Sequence, residues 1–181
     1  MTLTPASRRM ILLAALIFAL DQAAKNLVLQ CLGPAREKIL LPGFFKLVCW
    51  TNTGAAWSFF HNRNGWLAAV SILALLCLVA GRRHFHVHTL AGQLSLSLIC
   101  GGILGNLFDR IERHQVIDFI RFYLHPRGGE EIGFPAFNVA DSAICVGVAL
   151  LILLSFRLDA AAAPPAPKSA DGALKTENGR G

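Results

Sequence analysis

Two aspartates stand out by their surroundings. Asp118 lies in "VIDFI" with apolar neighbours on both sides, and Asp141 lies in "FNVADSAICVG", shortly before a stretch from Val146 to Leu154 that carries no charge. An ionised carboxylate in such a place is costly. If the two share one low-dielectric pocket, one of them keeps its proton at neutral pH. A protonated and an ionised acid around one water can hydrolyse an amide. The ionised member takes a proton from water as it attacks the carbonyl; the protonated member hydrogen-bonds the developing oxyanion and then helps protonate the leaving amine. A plainer role is open for Asp141 alone, because a carboxylate in the first turn of a helix also complements the helix dipole.

Other polar residues could serve such a site. Asp21 and Lys25 are four apart with the acid first, the favourable order for an ion pair on one helix face. Asn106 and Arg110 share that spacing, and Arg110 either snorkels to headgroups or braces a carboxylate. Asn138 suits the N-cap of a helix whose first turn holds Asp141. His84, His86 and His88 alternate in "HFHVH", a pattern that fits a metal-binding strand. They fall in a short connection away from the acids, so no metal is expected. The chain has no GxSxG, no HExxH and no glycine-rich phosphate loop. Its five cysteines show neither metal spacing nor a disulfide framework, and Cys31 with Cys49 is the one pairing open outside the membrane.

The elements that must position these groups are helices in lipid. Of 181 residues, 54% are hydrophobic and 15% charged, and the apolar residues fall in blocks instead of alternating. Met10–Leu29, Trp66–Gly81, Leu90–Phe108 and Val139–Phe156 each approach the length needed to cross a hydrocarbon core of about 30 Å, the second being short. Backbone polar groups in lipid need internal partners, so the expected fold is a mainly α membrane protein of four transmembrane helices. Asp21, Gln22 and Lys25 interrupt the place where a signal-peptide cleavage site would lie, which favours a span for the first block.

The expected organisation is an N-terminal segment 1–9, a four-helix domain 10–156 with outer loops 30–65 and 109–138, and a tail 157–181 whose Ala, Pro and polar content reads as disordered. In the first outer loop, Pro42 and Gly43 mark a turn between two strand-like runs, predicting a small β-hairpin or sheet on the membrane surface. Phe44, Phe45, Trp50, Trp57, Phe59, Phe60 and Trp66 suit the interface. Gly101 and Gly105, four apart, predict close helix packing. The net charge of +6 is dispersed and suits membrane flanks, with no sign of nucleic-acid binding.

Four spans put both termini on one side. Arg and Lys then number eight on each side, so counting alone does not set the orientation; Arg8, Arg9, Arg82 and Arg83, hard against the spans, favour cytoplasmic termini. Independently of orientation, Asp21, Lys25, Asn52, Asn106, Arg110, Asp118 and Asp141 all fall at one membrane face. A proton-conducting relay should instead reach through the bilayer, and a non-catalytic scaffold would leave both acids unexplained.

In consecutive order, "DQAAKNLV", "NTGAAWSF", "GGILGNLFDRI", "VIDFI" and "FPAFNVADSAICVG" resemble the lipoprotein signal peptidases (signal peptidase II), aspartic peptidases of the bacterial cytoplasmic membrane. The resemblance covers about residues 10–156. It implies that Asp118 and Asp141 are the catalytic dyad, and that Asp21, Lys25, Asn52, Gly54, Asn106, Arg110, Asn138 and Ala140 shape or support the site. It further implies cleavage of diacylglyceryl-modified prolipoproteins just before the lipidated cysteine, no metal or cofactor, an outer-face site and cytoplasmic termini. The expected partners are lipid-modified prolipoprotein signal peptides and membrane lipids, with the chain acting as a monomer. Where the family usually has glycine, between "DRI" and "VIDF", this chain has His114.

Overall fold

Helix starts are written locally in the sequence. The computed structural model describes residues 4–54, 64–126 and 129–162. Helix α1, Pro5–Cys31, begins with proline in its first turn and with Thr4 as N-cap, whose hydroxyl accepts from the Ser7 N–H; proline suits this position because its missing N–H would have no helical partner. Helix α2 spans Asn64–Ala80. Helix α3, Leu90–Glu112, is capped in the same way by Thr89, which accepts from the Gly92 N–H. Helix α4 spans Val139–Ala162.

Three of the four, Pro5–Cys31, Leu90–Glu112 and Val139–Arg157, are long and apolar enough to cross a membrane, whereas α2 has 17 residues. The packing is inverted relative to a soluble protein. Leu12, Leu16, Leu73, Leu76, Leu153 and Phe156 are exposed, while Asp21, Gln22, Lys25, Gln93, Ser95, Ser97, Asn106 and Asp109 are buried. Polar groups without water find one another, and leucines face the acyl chains. Helix α3 is the hub on which α1, α2 and α4 pack. Its glycines permit this: a Cβ on Gly101 would lie 2.7 Å from the Ala14 carbonyl oxygen of α1, and one on Gly102 would lie 2.5 Å from the Ala140 carbonyl oxygen of α4.

The expected hairpin is present and is part of something larger. Strands β1 (Glu37–Leu41), β2 (Phe45–Asn52), β3 (Val116–Leu124) and β4 (Ile132–Gly133) form an antiparallel sheet in the order β1-β2-β3-β4. Gly43, at φ +73°, makes the turn between β1 and β2. Beneath β2 and β3, Cys49, Ile117 and Phe119 pack with Val28 of α1, so the sheet is seated on the helix that carries Asp21 and Lys25. Lys46 is buried between Glu37 and Glu131, at 2.8 Å from each, and Arg121 joins Glu131 at 2.9 Å, tying the strands together by charge.

Several boundaries differ from the sequence reading. Asp109 and Arg110 belong to α3, which outlasts the apolar block by a polar turn, and the segment 109–138 contains two strands. Residues 157–162, assigned to the tail, continue α4, as alanine's helix propensity favours. His84 lies in a 3-10 turn, Arg82–His84, and no strand forms through His86 and His88. Cys31 and Cys49 are both free, the first exposed and the second buried. Trp57, Phe59, Phe60 and the tail beyond Ala162 lie outside the described residues.

His114 occupies the turn between α3 and β3 with φ +58°. That left-handed conformation crowds a Cβ and suits glycine. His114→Gly should therefore raise stability by about 1 kcal/mol without altering the site, which thermal unfolding in detergent will measure.

Candidate active site

The site is built from the ends of three helices and the middle of the sheet. In β3, Ile117 and Phe119 face the hydrophobic core, and the two-residue period sends Asp118 to the opposite face. The backbone of Phe137 pairs with that of Ile120 in both directions, at 2.9 and 3.0 Å. This draws the start of α4 alongside β3. Asn138 then closes the helix end as a capping box: its side-chain oxygen accepts from the Asp141 N–H at 2.9 Å, and an Asp141 carboxylate oxygen accepts from the Asn138 N–H at 3.1 Å.

Asn138 also reaches the other acid. Its side-chain amide donates to Asp118 Oδ1 at 2.9 Å, so a single asparagine is bonded to both carboxylates. Asp118 Oδ2 accepts from Asn52 Nδ2 at 3.1 Å, and Asp141 Oδ1 accepts from Asn106 Nδ2 at 2.7 Å. Asn106 is oriented by elimination. Lys25 Nζ, which can only donate, points at Asn106 Oδ1 from 3.0 Å, which leaves the amide nitrogen to face Asp141.

Burial first, and then the negative charge of Asp141, raise the Asp118 carboxyl to about 7, against the lowering effect of the Asn52 and Asn138 hydrogen bonds. Asp118 thus holds its proton more tightly folded than unfolded, where a carboxyl titrates near about 4. Between these values the folded state binds more protons, so the Asp118 contribution to stability declines as pH rises from about 4 to about 7 and is flat above. Asp118→Asn should remove that slope. Thermal unfolding of both proteins across the window will show whether their difference varies with pH in this sense.

Behind the two acids lies a charged cluster that the sequence only half disclosed. Lys25 and Asp21 pair at 2.7 Å as their spacing predicted, but Lys25 also meets Asp109 at 2.8 Å, all three fully buried. Asp109 pairs in turn with Arg113, and Gln22 donates to Asp21, Asp109 and the Gly105 carbonyl. Asp21 Oδ1 accepts from the Ala140 N–H at 2.9 Å and so holds the first turn of α4. The available signal for Asp109 and Arg113 was their four-residue spacing on α3; Gln22 had none beyond its proximity to Asp21. Arg110 donates to the Gly54 and Asn106 carbonyls at 3.3 Å, and its guanidinium also feels the charges of Asp141 and Asp118. Gly54 is buried, with its N–H on Asn52 Oδ1. All ten residues singled out from the sequence therefore lie in one connected region. Among the described residues no group of three His, Cys, Asp or Glu side chains is placed to hold a metal.

The family model described as Signal peptidase (SPase) II matches residues 13–157. This chain belongs to the signal peptidase II family. The lipoprotein signal peptidase of Syntrophotalea carbinolica is 36% identical over 153 residues, covering 83% of this chain and 92% of that protein. That of Shewanella loihica is 41% identical over 147 residues, covering 78% and 82%. A solved bacterial membrane enzyme at 27% identity superposes with a TM-score of 0.72 over 88% of this chain and 94% of its own. As a signal peptidase II the chain is a membrane protease, and the acids, amides and buried ion pairs described above fall within the matched span.

Proposed function

We propose that this chain removes the signal peptide from diacylglyceryl-modified prolipoproteins, cleaving before the lipidated cysteine, with Asp118 and Asp141 as an aspartic dyad. The observation that carries the reading is the bridging by Asn138, which bonds at once to the acid of β3 and to the acid of α4. One shared proton would leave a base to activate water and an acid to serve the oxyanion and the leaving amine. Asn52, Asn106 and Asn138 hold the carboxylates, Lys25 and Asp21 brace Asn106 and the α4 turn, and Gly54 and Arg110 shape the adjoining loop. The chemistry draws on no metal or cofactor. The names of the relatives, lipoprotein signal peptidases, support the substrate class.

In this reading α2 is a fourth span in the bacterial inner membrane, both termini are cytoplasmic, and the dyad lies at the outer face. The sheet rests on the membrane surface, which the exposed Ile39, Leu41 and Phe44 at its hairpin support. Substrate acyl chains stay in the leaflet while the peptide bond reaches Asp141 near the start of α4, and confinement to two dimensions limits its approach. The chain works as a monomer. Mass spectrometry of a lipidated precursor incubated with the purified chain tests the activity: products split before the modified cysteine are expected, and an intact precursor or a cut elsewhere overturns it. Topology is tested separately in intact cells, where a membrane-impermeant maleimide should label Cys31 but not a cysteine introduced as His84→Cys.

A further inference from the structure

At the end of the bundle opposite the acids lies a second feature. Helices α1 and α2 both lean on α3 and scarcely touch each other, which leaves a groove of about 920 Å³ between them. That is near the upper end of the range of about 300–1,000 Å³ for sites that hold small molecules. Met10 and Phe18 of α1, Leu75 and Val79 of α2 and Leu104 of α3 line it, so its walls are apolar along most of its length. From Ser7 to Phe18 the groove follows α1 for about 16 Å at a rise of about 1.5 Å per residue, close to half of a hydrocarbon core of about 30 Å.

The groove is polar at one end. Thr4, Ser7 and Arg82 border it there. Arg82 is exposed and, among the described residues, joins no ion pair. Arg8, Arg9 and Arg83, also exposed, belong to the same end of the bundle. No acidic residue precedes Asp21, and none occurs between Glu37 and Asp109, so α2, its connection to α3 and most of α3 offer these cations no carboxylate. An apolar slot one leaflet deep, ending in a guanidinium that joins no ion pair among the described residues, matches one ligand chemistry. We infer that it holds an anionic phospholipid, with an acyl chain between α1 and α2 and the phosphate at Arg82. Filling the gap that the protein leaves, the lipid couples the otherwise loosely held α2 to α1.

The test is native mass spectrometry of the full chain released from detergent with palmitoyl-oleoyl phosphatidylglycerol or with phosphatidylethanolamine of the same chains. One phosphatidylglycerol should be retained in preference to phosphatidylethanolamine, and Arg82→Gln should weaken it roughly fivefold, the worth of one basic side chain at a lipid surface. Arg82→Lys should restore most of the binding. Ala15→Phe, at an exposed position lining the groove, should abolish it. Arg83→Gln, which removes the same charge from a residue that does not line the groove, should change it little. Equal binding of both lipids, equal losses from Arg82→Gln and Arg83→Gln, or retention in Ala15→Phe would each overturn the inference. So would a protein dimer that Ala15→Phe dissolves, which would make a second copy the occupant. The substituted side chains are exposed, and circular dichroism of each variant confirms its fold before binding is compared.

Discussion

Asp118→Asn and Asp141→Asn should each yield a folded, membrane-inserted protein that binds lipidated precursor and cleaves almost none of it. Asparagine preserves the shape and still accepts hydrogen bonds, but it cannot ionise or act as a general base. Because both acids would act on one water, the double variant should be scarcely worse than either single one. If Asp141 served only the helix terminus, Asp141→Asn would cost about 1 kcal/mol of stability and leave most of the activity. Cleavage rates and precursor binding measured on the same preparations separate these outcomes. Substantial turnover by either folded single variant would sink the dyad, and equal loss of binding would move that residue from catalysis to recognition.

The second large effect is expected at Lys25. Its ammonium is buried between Asp21 and Asp109, so Lys25→Ala leaves two buried carboxylates with Arg113, which reaches only Asp109, as the remaining ion-pair partner. Breaking a buried pair in this way costs about 3–5 kcal/mol. Activity should fall as well, because Asn106 loses the donor that turns its amide toward Asp141. Adding Asp21→Asn should recover part of the stability while keeping an acceptor for the Ala140 N–H. Recovery should be incomplete, since Asp109 still lacks its lysine. Chemical unfolding of the single and double variants decides the matter: a double variant no more stable than Lys25→Ala would show that Asp21 and Lys25 are not energetically coupled.

What could be read from the sequence was whatever local chemistry determines. Asn138 as a cap, Asp21 paired with Lys25, the Pro42–Gly43 turn and the starts of the helices each depend on residues a few positions apart. Asp109 was legible only in part, because its burial rests on Lys25 and Gln22, more than eighty positions away. The end of the apolar run at Phe108 suggested that the helix stopped there. Strand β3 escaped for the same reason: its pairing with β2 joins Trp50 to Asp118 across the whole of α2 and α3. Arg110 shows another limit, since its spacing from Asn106 was plain but its acceptors are backbone carbonyls, which side-chain identity does not reveal. His114 could be flagged by the resemblance, but its left-handed backbone could not.

The capping box of α4 has a consequence in time. Asp141 is held by the same two bonds that close the first turn of the last helix, and Asn138, which makes them, also holds Asp118. Assembling the acid pair and nucleating α4 are thus one event, and that helix is the final described element to leave the ribosome. A nascent chain whose earlier helices are already in the bilayer has Asp118 but not its partner. In the proposed mechanism, proteolytic competence is therefore withheld until α4 forms and then arrives in a single step.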